Sequence, residues 1–338
     1  MKHLTVVIPV FNEASGISDL VARVLGALHP VPGLRSDVLI VDDGSTDETA
    51  NTVRNLLAAE PRVGLLRLGR NFGKESAIQA GLAHSTGDAV VVMDGDLQHP
   101  PELLPEMVRL WSAGVPVVEG VKRSRGDEPP LSRLAAALFY WLFGRLSDLD
   151  LRRRTDFKLL DRTVVDTYLA LPERRRFFRG LIEWLGFPSA QIPFDVPARR
   201  HGRRTFGSLK RLRLSVSAIT SFSSAPLHLM TVLGGTAFLL GAVIGSIALY
   251  QKLSHRAVEG FTTVILITLI LGGLTMIGLG LIGLYLAHIF EEIKGRPAFR
   301  VDVERSYVPG AAVAPDSPPS PDHETRTIPS GPGTEGSS

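Results

Sequence analysis

Ala89-Val90-Val91-Val92-Met93-Asp94-Gly95-Asp96-Leu97-Gln98 sets the architecture of this chain. Five apolar residues in a row read as a strand buried on both faces. The run stops at two carboxylates and an amide spaced i, i+2, i+4, whose oxygens converge on one side of the sheet edge. In an open parallel sheet, ligands bind in the crevice beyond the carboxyl ends of the strands. Oxygen donors there suit a hard divalent cation that keeps waters or substrate phosphates in its shell. The stretch is therefore read as a site for a metal-bridged diphosphate, as in a nucleotide-sugar. The competing reading is a polar turn that caps a helix starting near Pro101.

The residues before and after it repeat the pattern. Leu4–Val10, Asp37–Val41, Val63–Leu68 and Val115–Val118 are further apolar runs. Ile17–Leu28, Glu48–Ala59, Lys74–His84 and Pro101–Ala113 separate the runs with helical apolar spacing. Asp47 and Pro101 suit helix starts and Gly114 a helix stop. Strand–helix alternation with near-continuous apolar strands implies an α/β domain with a mostly parallel, Rossmann-like sheet covered on both faces.

Three other polar stretches then fall at strand C-termini, on the same edge as Asp94. They are Pro9-Val10-Phe11-Asn12-Glu13, Asp42-Asp43-Gly44-Ser45-Thr46-Asp47 and Asn71-Phe72-Gly73-Lys74. An aspartate at that edge can accept hydrogen bonds from a nucleobase or ribose. Gly73 allows close backbone approach, and Lys74 opens a helix whose first amides favour a phosphate. Any one of these taken singly reads more often as a turn. Four in order exceed turn chemistry.

The chain of 338 residues has room for about two domains, or one domain and an appendage. It has no cysteine, which excludes disulfides and thiolate metal sites. Its net charge of +3 is too small to suggest a nucleic-acid partner. Pro226 to Tyr250 and Phe261 to Phe290 carry no Asp, Glu, Lys or Arg. Each run exceeds the roughly 20 residues that cross a hydrocarbon core, and neither has a polar stripe, so a transmembrane hairpin is expected. Arg199, Arg200, Arg203, Arg204, Lys210, Arg211 and Arg213 precede it, and Lys294, Arg296 and Arg300 follow it. The turn holds only Lys252 and Arg256. The positive-inside rule puts the first domain and both termini in the cytoplasm, at the plasma membrane. The start, Met1-Lys2-His3, lacks the features of a signal peptide. Four segments are expected: a cytosolic domain over 1–198, basic amphipathic interfacial helices over 199–225, the hairpin over 226–290, and a tail over 291–338. The tail's Pro, Ser, Gly and Thr content predicts disorder after about Val308.

VVIPVFNE, IVDDGSTDET, RNFGKESAIQAG, MDGDLQHPPEL, DFKLLDR and RFFRGLIEWLGF together resemble the family 2 glycosyltransferases of the GT-A fold. More narrowly, they resemble the membrane-bound polyprenyl-phosphate glycosyltransferases akin to dolichol-phosphate mannose synthase. The match runs from Val6 to about Phe290. The resemblance implies a nucleotide-diphosphate sugar donor, Mg2+ or Mn2+, a polyprenyl phosphate acceptor at the cytoplasmic face of the bilayer, and self-association into a homo-oligomer. Carried over residue by residue, it makes Pro9, Phe11, Glu13, Asp42, Asp43, Lys74, Asp94, Gly95 and Arg123 donor contacts. Asp94, Asp96 and Gln98 become the metal group, and Asp96 and Asp156 the catalytic carboxylates. Arg133, Arg199 and Arg204 fall to the acceptor phosphate. The family usually has Arg-x-x-Gly-x-Ser-Lys-Tyr before its interfacial helices. Here Arg199 and Gly202 match, but Arg204-Thr205 replaces Ser-Lys, and an arginine fork is not equivalent to a lysine point charge.

The expected reaction is inverting transfer of one sugar. Two-span architecture resembles the bacterial glucosyl-type enzymes, which favours a UDP-hexose such as UDP-glucose and undecaprenyl phosphate. GDP-mannose and an amino-arabinose donor stay open. A processive polysaccharide synthase would usually carry Gln-x-x-Arg-Trp, whereas this chain has Arg179-Gly180-Leu181-Ile182-Glu183-Trp184. A catalytically silent membrane scaffold is the alternative from another class, and the intact Asp94, Asp96, Gln98 and Asp156 argue against it.

Overall fold

β1 (Lys2–Val10), β2 (Leu34–Asp42), β3 (Val63–Arg67) and β4 (Ala89–Val92) run parallel, with α1 (Ile17–Leu28), α2 (Thr49–Ala59) and α3 (Lys74–His84) as their crossovers. The computed structural model describes residues 1–123, 154–174, 176–195, 225–254 and 261–314. Every residue of β4 and all of Val38–Val41 are buried, so these strands lack the polar alternation of a one-sided sheet. Burying each such Val, Leu or Ile contributes about 1.5–3 kcal/mol.

After β4 come a short 3-10 turn (Pro101–Leu103), α4 (Leu104–Ser112) and β5 (Val117–Lys122). β6 (Arg154–Asp161), which carries the DFKLLDR motif, then inserts antiparallel between β4 and β5. α5 (Arg162–Ala170), α6 (Phe178–Trp184) and β7 (Ser189–Phe194) complete the order β3-β2-β1-β4-β6-β5-β7. Glu119 of β5 sits directly across from Lys158 of β6, and their fully buried side chains form an ion pair inside the sheet. The expected α/β class with a mostly parallel sheet is borne out.

The chain divides into two compact units. The first contains the sheet and also the segment after Pro297. That segment returns to β3, an edge strand, through antiparallel bridges Leu68↔Val301 and Leu65↔Tyr307. Phe299, Val301 and Val308 are buried, and the Ala314 carbonyl lies 3.1 Å from His84 Nε2. Ordered chain thus runs past the Val308 boundary expected from composition. Backbone pairing to an open sheet edge anchors a stretch whose side chains alone would not.

The second unit holds α7 (Ala225–Leu253) and α8 (Phe261–Ile293). Both are long and apolar enough to cross a membrane, over Met230–Ile247 and Ile267–Ile293, and neither window is buried by protein. The expected interfacial helices over 199–225 lie almost wholly outside the described residues. So do the aromatic stretch 132–146, the turn at 255–260 and the chain beyond 314.

Candidate active site

In-register pairing brings the strand ends level. Val10 pairs with Asp42, and Val7 with Val92. The Asp43 N–H donates to the Val10 carbonyl and the Met93 N–H to the Val7 carbonyl. The motif loops therefore leave one edge of the sheet, as the sequence predicts.

At one end of that edge, carboxylates organise backbone. Both oxygens of Asp43 accept amides from the loop after β3, Phe72 N–H at 2.7 Å and Gly73 N–H at 2.9 Å. Burial pushes its carboxyl up, and these two amides oppose that rise. Asp42 is fully buried. Its Oδ1 accepts the Ser45 N–H at 2.8 Å, and its Oδ2 lies 3.6 Å from Arg67 Nε. Asn12, at φ 57°, accepts the Thr46 N–H through its side chain, while its own N–H donates to Ser45 Oγ. The Glu13 N–H donates to Thr49 Oγ1. Gly44 adopts φ 68°, and a Cβ there would lie 2.5 Å from the Arg70 carbonyl carbon, so only glycine fits this junction. Pro9 closes β1 opposite Val41, and the Phe11 ring is exposed at the rim.

At the other end, carboxylates are held by cations. Lys74 Nζ sits 2.5 Å from Asp94 Oδ1 and 2.6 Å from Asp156 Oδ2. Arg179 from α6 grips Asp156 with both arms, Nε to Oδ1 at 2.5 Å and a terminal nitrogen to Oδ2 at 2.9 Å. Burial would raise the Asp156 carboxyl, but Lys74 and Arg179 override it and hold it far below the usual carboxylate range. Burial alone would lower the Lys74 ammonium, yet Asp94 and Asp156 hold it well above an ordinary lysine. Asp94 is likewise lowered, its burial outweighed by the Lys74 ammonium.

His99 Nδ1 accepts the Asp94 N–H at 2.9 Å, which leaves the proton on Nε2, 3.8 Å from Asp94 Oδ2. Burial keeps this imidazole neutral, stacked on Phe157 at 5.1 Å between centroids. Asp96 Oδ1 accepts the Gln98 N–H at 3.1 Å. Between them Leu97 takes φ 60°, an unfavourable conformation for a branched side chain that its burial maintains. A Cβ on Gly95 would lie 3.0 Å from Val10 Cγ1, so the loop folds tightly over the end of β1.

Lys74, Asp94 and Asp156 thus lie together. Arg123 follows β5 directly and pairs with the exposed Asp195 at 3.0 Å. Arg133, Arg199 and Arg204 lie outside the described residues. Sequence reading had not placed Arg179, His99 or Glu75 in the site. Arg179 belongs to the RFFRGLIEWLGF stretch, but nothing in its spacing pairs it with Asp156. The Glu75 carboxylate accepts the Phe178 N–H at 2.8 Å. Burial, and then the charge of Asp156, push it up to about 7.

Among the described residues, no three His, Asp or Glu side chains group into a metal cage. The donor set fits a cation of another kind. Mg2+ and similar hard ions are commonly held by one or two carboxylates while substrate phosphates complete the shell. Asp94 and the partly accessible Asp96 and Gln98, on one loop, supply such oxygens.

The model for glycosyl transferase family 2 matches residues 5–166. An uncharacterized glycosyltransferase of Synechocystis is 36% identical over 301 residues, covering 88% of this chain and 94% of that protein. The glycosyltransferase YkcC of Bacillus subtilis is 36% identical over 314 residues, covering 90% and 95%. A prophage bactoprenol glucosyl transferase homolog of Escherichia coli is 33% identical over 301 residues, covering 88% and 97%. Likeness at this level along nearly the full length, over a strand edge built from the family's motifs, makes the chain a member of glycosyl transferase family 2.

Proposed function

We propose that this glycosyltransferase moves one hexose from a UDP-hexose, UDP-glucose foremost, to undecaprenyl phosphate at the cytoplasmic membrane face. The observation that carries the reading is Lys74 bridging Asp94 and Asp156 at the crevice edge. The printed name of the Escherichia coli relative, a bactoprenol glucosyl transferase homolog, supports a glucosyl group and a polyprenol.

In the proposed reaction, an oxygen of the lipid phosphate attacks the anomeric carbon. The bond from that carbon to the diphosphate breaks, the nucleoside diphosphate leaves, and the anomeric configuration inverts. A phosphate monoester has its second pKa near 6, so the attacking group needs little deprotonation. Asp156 suits that demand, because a carboxylate neutralised by Lys74 and Arg179 is a poor base and a good fixed support. It orients the sugar or the acceptor. Lys74, reachable from the crevice, supplies positive charge beside the departing diphosphate. Asp94, Asp96 and Gln98 would hold Mg2+ or Mn2+, which when bound offsets diphosphate charge. The acceptor phosphate falls to Arg133, Arg199 and Arg204.

The returning segment supports a cytoplasmic placement of both the sheet and the chain after α8. Val301 and Tyr307 bridge to Leu68 and Leu65 beside and within β3, which favours placing the sheet and the chain after α8 on one side of the membrane. Two intervening crossings fit that placement, and the basic flanks favour the cytoplasm. The native chain has no cysteine, so single cysteines at Ser306 and Ser254 can be labelled separately. Ser306 should resist an impermeant thiol reagent in intact cells, and Ser254 should react. Membranes supplied with undecaprenyl phosphate and sugar-labelled UDP-glucose, GDP-mannose or a UDP-amino-arabinose test the donor. Lipid-extractable label from UDP-glucose is expected, and label from GDP-mannose alone would overturn the choice.

A further inference from the structure

The segment that returns to β3 does more than cover a sheet edge. Its two bridges to β3 flank a break where the 3-10 turn Val303–Arg305 interrupts the pairing. Leu65 and Tyr307 exchange both backbone hydrogen bonds, at 2.7 and 2.6 Å. The Gly69 N–H donates to the Arg300 carbonyl at 2.9 Å, and the Asp302 N–H to the Arg67 carbonyl at 2.8 Å. At the break, the Arg67 N–H is taken by a side chain instead. It donates to Ser306 Oγ at 2.9 Å, while that hydroxyl donates onward to the Asp302 carbonyl at 2.7 Å. Ser306 therefore stands in for a missing ladder partner.

Arg67 is the last residue of β3, and its side chain points the constraint toward the site. One guanidinium nitrogen donates to the Ser45 carbonyl at 3.2 Å, and Nε lies 3.6 Å from Asp42 Oδ2. Among the described residues, the buried Asp42 Oδ2 accepts no hydrogen bond, and this guanidinium is a positive group facing it. The Asp42–Ser45 turn meets Arg70 at Gly44, and Gly69 is held by Arg300. The strap thus holds, through Arg67 and Gly69, both walls of the end where Asp42 and Asp43 lie.

We propose that the strap Phe299–Pro309 is a positioning element of the nucleoside subsite, acting from Ser306 through Arg67 onto Asp42 and Ser45. The inference rests on the reading that a nucleoside diphosphate occupies this strand edge. Ser306 and Arg67 are positioning residues: they aim the groups that meet the nucleoside. A loosened Arg67 costs ground-state and transition-state binding of the nucleotide alike, so it raises the donor KM and leaves kcat largely unchanged.

The test uses the full-length protein in detergent, with calorimetric titration of UDP and of GDP beside steady-state transfer. Ser306→Ala removes the acceptor for the Arg67 N–H. A net loss typical of one hydrogen bond weakens UDP binding by about threefold to tenfold. The donor KM should rise by the same factor, with kcat and the undecaprenyl phosphate KM within about twofold. Ser306→Thr keeps the hydroxyl and should restore affinity. Arg67→Ala should weaken UDP at least as much as Ser306→Ala; it also leaves the buried Asp42 without this cation and lowers the melting temperature, so the titrations are made well below that temperature, where circular dichroism shows the variant folded. Wild-type UDP affinity in both Ser306→Ala and Arg67→Ala would overturn the proposal alone. So would an equal loss in kcat and in the acceptor KM. A wild-type protein that binds neither UDP nor GDP would overturn the nucleotide reading, and this proposal with it.

Discussion

The two ends of the crevice edge hold their aspartates in different ways. Asp42 and Asp43 accept backbone N–H groups of Ser45, Phe72 and Gly73, with Arg67 braced behind them. Asp94 and Asp156 are held by the side chains of Lys74 and Arg179. Backbone amides are fixed by the fold and cannot be exchanged without local unfolding. A lysine ammonium on a four-carbon stem can change partners when a phosphate arrives. The first end is therefore a preformed wall, and the second a charge cluster that incoming anions can rearrange. In the proposed function, recognition belongs to the wall and chemistry to the cluster.

Asp156→Asn tests that division most severely. It leaves Lys74 and Arg179 facing a neutral amide and misplaces the group that orients the reacting partners. We expect kcat to fall by about 10²-fold or more, with UDP affinity by calorimetry near wild type. Loss of UDP binding together with kcat would erase the distinction between the two ends. Asp43→Asn is the converse. Losing charge-assisted hydrogen bonds of about 1.5–3 kcal/mol should raise the donor KM by about 10- to 100-fold, with kcat much less affected. A kcat defect at unchanged KM would place Asp43 in the chemical step and break the comparison.

Arg179→Lys sharpens the account of the cluster. It retains the charge and loses the two-armed grip on Asp156. A fall in kcat of roughly tenfold is expected, smaller than that of Asp156→Asn. Full activity would mean that Lys74 alone suffices to hold Asp156. The smallest effect concerns stability. Glu75 is raised from its ordinary 4.5 to about 7, so the folded protein binds its proton more tightly than the unfolded chain. Its contribution is full below about pH 4.5 and lost as pH rises through 7. Glu75→Gln, which keeps an acceptor for the Phe178 N–H, should therefore gain in melting temperature relative to wild type between pH 5 and 8. A difference that is constant across that range would contradict the assignment.

Much of the wall could be read from sequence, and less of the cluster. β1 to β4 declare themselves as unbroken apolar runs, and their polar ends fall on one edge by the rule for parallel sheets. β6 is harder to see. It buries Asp156 and Lys158 within a single strand, and a lysine in a sheet interior reads as surface until its partner Glu119 is known from the register. Arg179 meets Asp156 only because α6 packs beside β6, a tertiary relation that local spacing does not encode. Pro297-Ala298-Phe299-Arg300-Val301-Asp302-Val303 falls within the stretch read from sequence only as a tail over 291–338. Its attachment combines main-chain hydrogen bonds beside β3 with the Ser306 hydroxyl, pairings to which composition is blind.

The central claim is a single inverting transfer to a lipid phosphate that depends on the Asp94–Asp96–Gln98 loop and a divalent cation. The direct measurement incubates membranes bearing the full chain with undecaprenyl phosphate and UDP-glucose labelled in the sugar, with and without EDTA. The account predicts one labelled, lipid-extractable product carrying a single β-linked glucose. EDTA should abolish it, Mg2+ or Mn2+ should restore it, and Asp96→Ala should not form it. A polymeric or α-linked product, or undiminished transfer in EDTA, would contradict the account.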